Sequence, residues 1–355
     1  MIVHEPRVGA ALRALEVHNR TEFSWRGERS QRLSRNVAAA LTPETARAFL
    51  VSSIQETLYT DFYVRGGVHP GQSKASNADV PGRTEFVERL SAANVGRGYL
   101  VENWVVRRFE PDAVVVHRDG LDLWVRPEEV VPSNGHKHST EESVGLWFPK
   151  EHLTYSPGFY LALSDAAFPE PQTDKIVRLY WNLRKDGAEP FISATTTNLN
   201  RAGVAFKVKV LRSPGQFSRC DAGVLYLTRS DYLLHRHLVA NIHTRVAAWL
   251  RRRTPVFTKP LAPGLALAED TGTGRSFGMD RCRLIAEGAV RAHEHTTTSL
   301  RHRLSAVADC FIEAGLDIDR PYLAPGSTDD YAFDIEIGST VDPELGSAFV
   351  PIWGD

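Results

Sequence analysis

The stretch that decides the fold begins with IVRLYWNL (176–183). It continues, across one helical segment, to VAFKVKVL (204–211) and, after the turn Ser213-Pro214-Gly215, to AGVLYLT (222–228). Each run is short, rich in β-branched and aromatic residues, and bounded by Gly, Pro or polar residues, which reads as a strand. The residues between the first two, about 187–202, read as a helix, and a second helix is expected at about 231–252. Strands and helices alternating in this way predict a mixed sheet with helices packed on one face of it.

On the N-terminal side, GYLVENWVVRRFEPDAVVVHRDGLDLWVRPEEVV (98–131) is broken by Glu110-Pro111-Asp112 and Arg118-Asp119-Gly120 into three short strands, an antiparallel meander. A strand at 144–149 and the segment SPGFYLAL (156–163) follow it. Further upstream, residues 8–57 read as helical, with a helix start at Thr42-Pro43-Glu44-Thr45 leading into Phe49, Leu50, Ile54 and Leu58. Residues 66–82 are a Gly/Pro-rich loop, and a helix at about 84–94 comes after it. Beyond a Pro-rich linker at 255–263, helices are expected at about 279–290 and 297–314. The class is α+β: a helical region over 1–95, the meander and its loop over 96–170, and an α+β segment over 171–355. Together they form one continuous globular unit over about 40–335.

The chain has 355 residues, 42% of them apolar, which is enough for a sizeable core and excludes wholesale disorder. Its formal charge is −1, against a nucleic-acid coat or a polybasic membrane binder, so neither nucleic acid nor membrane is an expected partner. No stretch approaches a membrane span, and Glu5 and Arg7 interrupt the N-terminus where a secretory signal would need an apolar run. A cytoplasmic location is therefore expected. Cys220, Cys282 and Cys310 have no paired spacing, which argues against disulfides and a thiolate zinc site. His235-Arg236-His237 and His293-Glu294-His295 lie in helical segments where spacing two diverges, so neither a metal nor another cofactor is expected.

Lysine is scarce in this chain, eight residues against 34 arginines, so each one is worth inspecting. Lys207 and Lys209, two apart on one strand, point to the same face. Burial beside a second cation would depress a lysine pKa and make a general base; a charged edge strand is the alternative. Arg178, Tyr180 and Asn182 likewise share a face, which would form a polar, anion-accepting surface with the lysines if the two strands pair. Arg219 and Asp221, just before a strand, read as an aimed anion ligand or as a structural ion pair. The loop Gly272–Gly278, leading into a helix, resembles a helix-N-terminus anion site with Arg275, Ser276 and Arg281 in support. It lacks the Gly-Lys-[Ser/Thr] ending of a phosphate loop.

Taken in order, DFYVRGG, SPGFYLAL, VRLYWNL, GVAFKVKVL, SRCDAGVLYL, LAPGLALAED, GRSFGMDRCRLIAEG and GLDIDRPYLAPGSTDDY resemble the HopA-type (HopPsyA-like) type III secretion effector family. The nearest resemblance is to the stand-alone members of class V lanthipeptide and thioamitide gene clusters. That resemblance implies a lyase acting on phosphoserine or phosphothreonine. A separate kinase, similar to aminoglycoside phosphotransferases, would phosphorylate a precursor peptide of leader and core. The lyase would then eliminate phosphate to leave dehydroalanine or dehydrobutyrine. On this reading Lys209 is the base, and Lys207 tunes it or binds phosphate. Arg178, Arg219, Arg275 and Arg281, with Ser276, clamp phosphate, and Tyr180 or Asn182 donates to the developing enolate. His136 or His138 is the candidate acid. Tyr63, Arg65 and Lys150, in segments matching the family, would line the same cleft. Two rivals are a non-catalytic adaptor for the peptide or kinase, binding an extended segment at a meander edge, and an effector that binds a host protein.

Overall fold

The computed structural model describes residues 6–67, 83–132, 139–153, 155–169, 174–272, 274–295 and 299–333. The chain opens with helix α1 (Pro6–Ala14) and three short strands, β1 (Leu15–Val17), β2 (Phe23–Trp25) and β3 (Glu28–Arg29). Sequence periodicity reads this region as helix, but two turns break it. The Asn19 side chain accepts from the backbone N–H groups of Thr21 (2.9 Å) and Glu22 (3.0 Å), and Arg26 and Gly27 both take positive φ in a tight hairpin. Helices α2 (Arg35–Ala40), α3 (Pro43–Leu58) and α4 (Arg83–Ala93) follow. Thr42 caps α3 by accepting from Thr45 N–H, with Pro43 in the first turn.

The meander is a five-stranded antiparallel sheet of β4 (Tyr99–Glu110), β5 (Ala113–Arg118), β6 (Leu121–Val125), β7 (Val130–Pro132) and β8 (Ser143–Phe148), in the order β6-β5-β4-β8-β7. It buries a small core of its own around Trp104, Val106, Val116 and Leu146. The rest of the chain builds a larger sheet from β9 (Glu151–His152), β10 (Phe159–Leu163), β11 (Ile176–Trp181), β12 (Lys207–Leu211), β13 (Gly223–Thr228), β14 (Lys259–Ala262) and β15 (Leu265–Glu269). Helices α5 (Ala188–Arg201), α6 (Arg229–Val246), α7 (Phe277–Glu294) and α8 (Leu300–Glu313) complete it.

The α+β class is borne out, with two differences in the large sheet. Its order is β14-β15-β11-β13-β12-β10-β9, and every pairing is antiparallel. The α5 crossover does carry the chain from β11 to a strand running the same way, but β13 later inserts between them. Helices also cover both faces. Val177, Leu179 and Trp181 pack with residues of α5 and α6 such as Phe191 and Ile242, while Tyr180, Val224 and Ala268 pack with α3 and α7 through Ile54, Phe277 and Ala286. All six residues of β11 are buried, so its run IVRLYW is nearly continuous in hydrophobicity and conceals which face is which. Strands β9 and β10, adjacent in sequence to the meander, hydrogen-bond into the large sheet.

Candidate functional site

Directly opposed residues on neighbouring strands share a face, so the register of the large sheet lays out the site row by row. In one row Ala268, Arg178, Tyr226, Lys207 and Leu163 stand opposite one another across β15, β11, β13, β12 and β10. In the next stand Ala266, Tyr180, Val224, Lys209, Leu161 and, on β9, His152. Arg178, Tyr180 and the two lysines therefore occupy one face, as anticipated, but bridged by Tyr226 and Val224 because β11 and β12 do not pair.

That face is walled by the end of α3 and the start of α7. The last turn of α3 widens into a π-helical turn at Tyr59–Tyr63, where Tyr59 and Tyr63 stack at 5.5 Å. Tyr63 fits directly beneath α7: a Cβ at Gly278 would lie 2.2 Å from its ring, so only glycine permits this approach. Tyr63 and Tyr180 face each other, and burial pushes both phenols well up, keeping them neutral donors.

The cations fall into two kinds. Arg178 and Arg219 are each backed by a carboxylate. Arg178 Nε donates to Asp270 at 2.7 Å and Nη2 to the same carboxylate and to the carbonyl of Arg275. Arg219 grips Asp221 through Nε at 2.8 Å and Nη2 at 2.7 Å, and reaches the Tyr59 hydroxyl at 3.0 Å. Burial would raise the Asp221 pKa, but Arg219 and, more weakly, Lys209 outweigh it and hold the carboxyl below its ordinary value. Among the described residues, neither arginine uses its Nη1 in a hydrogen bond. By contrast, Lys207 and Lys209 make no ion pair or hydrogen bond among the described residues. The Lys209 ammonium lies 4.7 Å from the Phe159 ring centroid and 5.4 Å from that of Tyr226, and the Lys207 ammonium 4.7 Å from that of Phe168. Partial burial pulls the Lys207 pKa down. Burial and then the charge of Lys207 do the same to His152, which places that imidazole within the field of Lys207. His152 carries no sequence signal, since a two-residue strand has no periodicity; only the register reveals it.

Other anticipated residues have structural duties. Arg281 is 1% exposed, and its Nε, Nη2 and Nη1 bind the carbonyls of Pro321 and Leu323 and the Asp280 carboxylate, so it struts the 321–323 segment and offers phosphate nothing. Lys150 donates to the carbonyls of Ser91 and Asn94, both at 2.9 Å, fastening the C-terminal end of α4. Asn182 spends its amide on the carbonyl of Arg253 at 2.9 Å. Ser276 is the N-cap of α7, accepting from Met279 N–H at 3.2 Å. Arg275 is exposed at the rim, where its carbonyl holds Arg178. Arg65 lies outside the lysine face, donating to Ser218 Oγ at 2.9 Å. His136 and His138 lie outside the described residues. Among the described residues no three His, Cys, Asp or Glu side chains gather as a metal site, and no helix is long and apolar enough to cross a membrane.

Residues 151–323 match the HopA1 effector protein family, a span that begins at β9 and contains the whole large sheet with α5 to α8. It is narrower than the 40–335 suggested by the sequence motifs. Two solved structures are similar. The effector protein from Pseudomonas syringae pv. tomato strain DC3000 shares 17% identity over 78% of this chain and 90% of its own, with a TM-score of 0.45. That from Pseudomonas syringae pv. syringae strain 61 shares 15% over 82% and 92%, with a TM-score of 0.43. No curated protein matches the chain.

Proposed function

We propose that this chain, whose residues 151–323 match the HopA1 effector family, is a phosphoserine/phosphothreonine lyase. It would act on a kinase-phosphorylated precursor peptide in ribosomal peptide natural-product biosynthesis. The observation that carries the reading is the pair Lys207 and Lys209. Among the described residues neither has an ion pair, and their sheet face, exposed at Lys207 and half-buried at Lys209, also holds the carboxylate-backed Arg178 and the His152 imidazole, with the Arg219–Asp221 pair beside it.

Elimination needs what such a face offers. A neutral lysine amine removes the Cα proton, the electron pair passes through an enolate-like state to form the Cα–Cβ double bond, and the Cβ–O bond breaks to release phosphate. We assign the proton abstraction to Lys209, nearer the Arg219–Asp221 pair. Tyr180 and Tyr226 are the phenols nearest this row, suited to donate to the carbonyl oxygen as charge develops there. Lys207 and the guanidinium groups of Arg178 and Arg219 attract the leaving phosphate, which takes its proton from solvent, and His152 adds a hydrogen-bonding imidazole at the edge of the same row. Carboxylate backing keeps the two guanidinium groups oriented.

The test is mass spectrometry of a phosphoserine or phosphothreonine peptide incubated with the protein. Loss of the mass of phosphoric acid supports the reading. Retention of an unchanged peptide on the immobilised protein replaces it with an adaptor.

A further inference from the structure

A second basic cluster lies beyond the lysine face, where three chain segments converge. Gly66 packs against the other two: a Cβ on it would come within 3.3 Å of both Cys220 Sγ and Arg253 Cβ, and within 3.0 Å of the Thr254 carbonyl. The Cys220 N–H donates to the Val64 carbonyl at 2.7 Å, and Asn182 ties the strand end of β11 to residues 251 and 253 through its backbone carbonyl and side-chain amide. Arg65, Arg251 and Arg253 thereby surround the buried Cys220 thiol. Arg251 Nη1 is fixed on the carbonyls of Leu183 (3.0 Å) and Phe217 (2.7 Å), which brings it beside Arg184, the residue after Leu183.

None of these four arginines has a carboxylate partner among the described residues. Elsewhere Arg47, Arg89, Arg126, Arg229 and Arg291 all do. The nearest buried carboxylate, Asp221, is already taken by Arg219. Arg251 is held down from its ordinary pKa by burial and by Arg184, as expected where like charges crowd. Backbone carbonyls and Ser218 hold Arg251 and Arg65 in place against that repulsion, so the forks are preorganised for planar oxyanions.

We infer that Arg65, Arg184, Arg251 and Arg253 form an anion-binding site for carboxylate side chains of a peptide held across the molecule. The choice of a peptide rests on the proposed lyase reading. Arg219, at the lysine face, immediately precedes Cys220 in the middle of the cluster, so a chain presenting its phosphorylated residue to Lys209 has its flanking residues here.

Binding, not turnover, tests it, which keeps its failure separate from failure of the lyase reading. Fluorescence anisotropy of a labelled peptide carrying a run of glutamates and no Ser or Thr is compared for the wild type, Arg184→Gln/Arg253→Gln and Lys209→Ala. The double variant should weaken binding about tenfold and flatten its salt dependence, while Lys209→Ala leaves it unchanged. Arg184 and Arg253 are exposed, and among the described residues their side chains hold no carbonyl; Arg253→Gln alone should shift binding in the same direction. Equal binding by the double variant, or equal loss in Lys209→Ala, overturns the assignment. So does tighter binding of a single-stranded oligonucleotide than of the peptide, or displacement of the peptide by inorganic phosphate at an equal concentration.

Discussion

Trp181 and Trp124 sit on strands of the two larger sheets and have opposite surroundings. Trp181, on β11, is fully buried, 4.9 Å from the Phe191 ring, between the sheet and its helices. Trp124, on β6 of the meander, is 59% exposed, lies under the Arg108 guanidinium and donates to Glu110. A strand covered on both faces cannot shift without disturbing two cores, and the chain has placed its arginine, tyrosine and lysine rows on that sheet. The meander, with one small core and apolar side chains such as Leu100, Leu121 and Trp147 facing solvent, lacks that rigidity. The family match follows the same division, covering the first sheet and leaving the second outside.

The largest expected effect is on stability. Trp181→Ala should cost about 3–5 kcal/mol in urea unfolding, whereas Trp124→Ala should cost less than about 1 kcal/mol; equal losses would dissolve the distinction. Next, Asp221→Asn strands the half-buried Arg219 guanidinium and should cost about 3 kcal/mol, while Asp122→Asn, on the meander, should be close to neutral. The pH dependence follows from the same pair. The folded-state pKa of Asp221 lies below its unfolded value, so its contribution is complete above about pH 4 and lost as pH falls through the folded value. Thermal unfolding of Asp221→Asn should accordingly show a shallower acid limb than the wild type. A smaller, local effect concerns His152. Its imidazole should titrate below about 6.5 by NMR, and move upward in Lys207→Gln as the neighbouring charge disappears. An unmoved titration would separate His152 from the lysine face.

The strands that build this face were legible because their residues are β-branched, aromatic and bounded by turns. The shared side of Lys207 and Lys209 followed from spacing alone. What spacing could not supply was long-range register: that β13 separates β11 from β12, and that β9 brings His152 into the Lys209 row. Arg281 and Lys150 misled for a related reason. A cation in an apt motif looks the same whether it meets solvent or, as here, backbone carbonyls contributed by distant segments. The early strands β1 to β3 were hidden because Val8, Leu12 and Leu15 imitate a helical period up to the turns at Asn19 and Gly27.

The most direct test of the central claim sets the two sheets against each other in one assay. Elimination of phosphate from a phosphoserine peptide is followed for the wild type, Lys209→Ala and Trp124→Ser, with folding of each confirmed by its melting temperature. The lysine face as reaction centre predicts a rate loss of about a thousandfold in Lys209→Ala at near-native stability, and a near-native rate in Trp124→Ser. Full activity in Lys209→Ala, or its loss in Trp124→Ser, would contradict it.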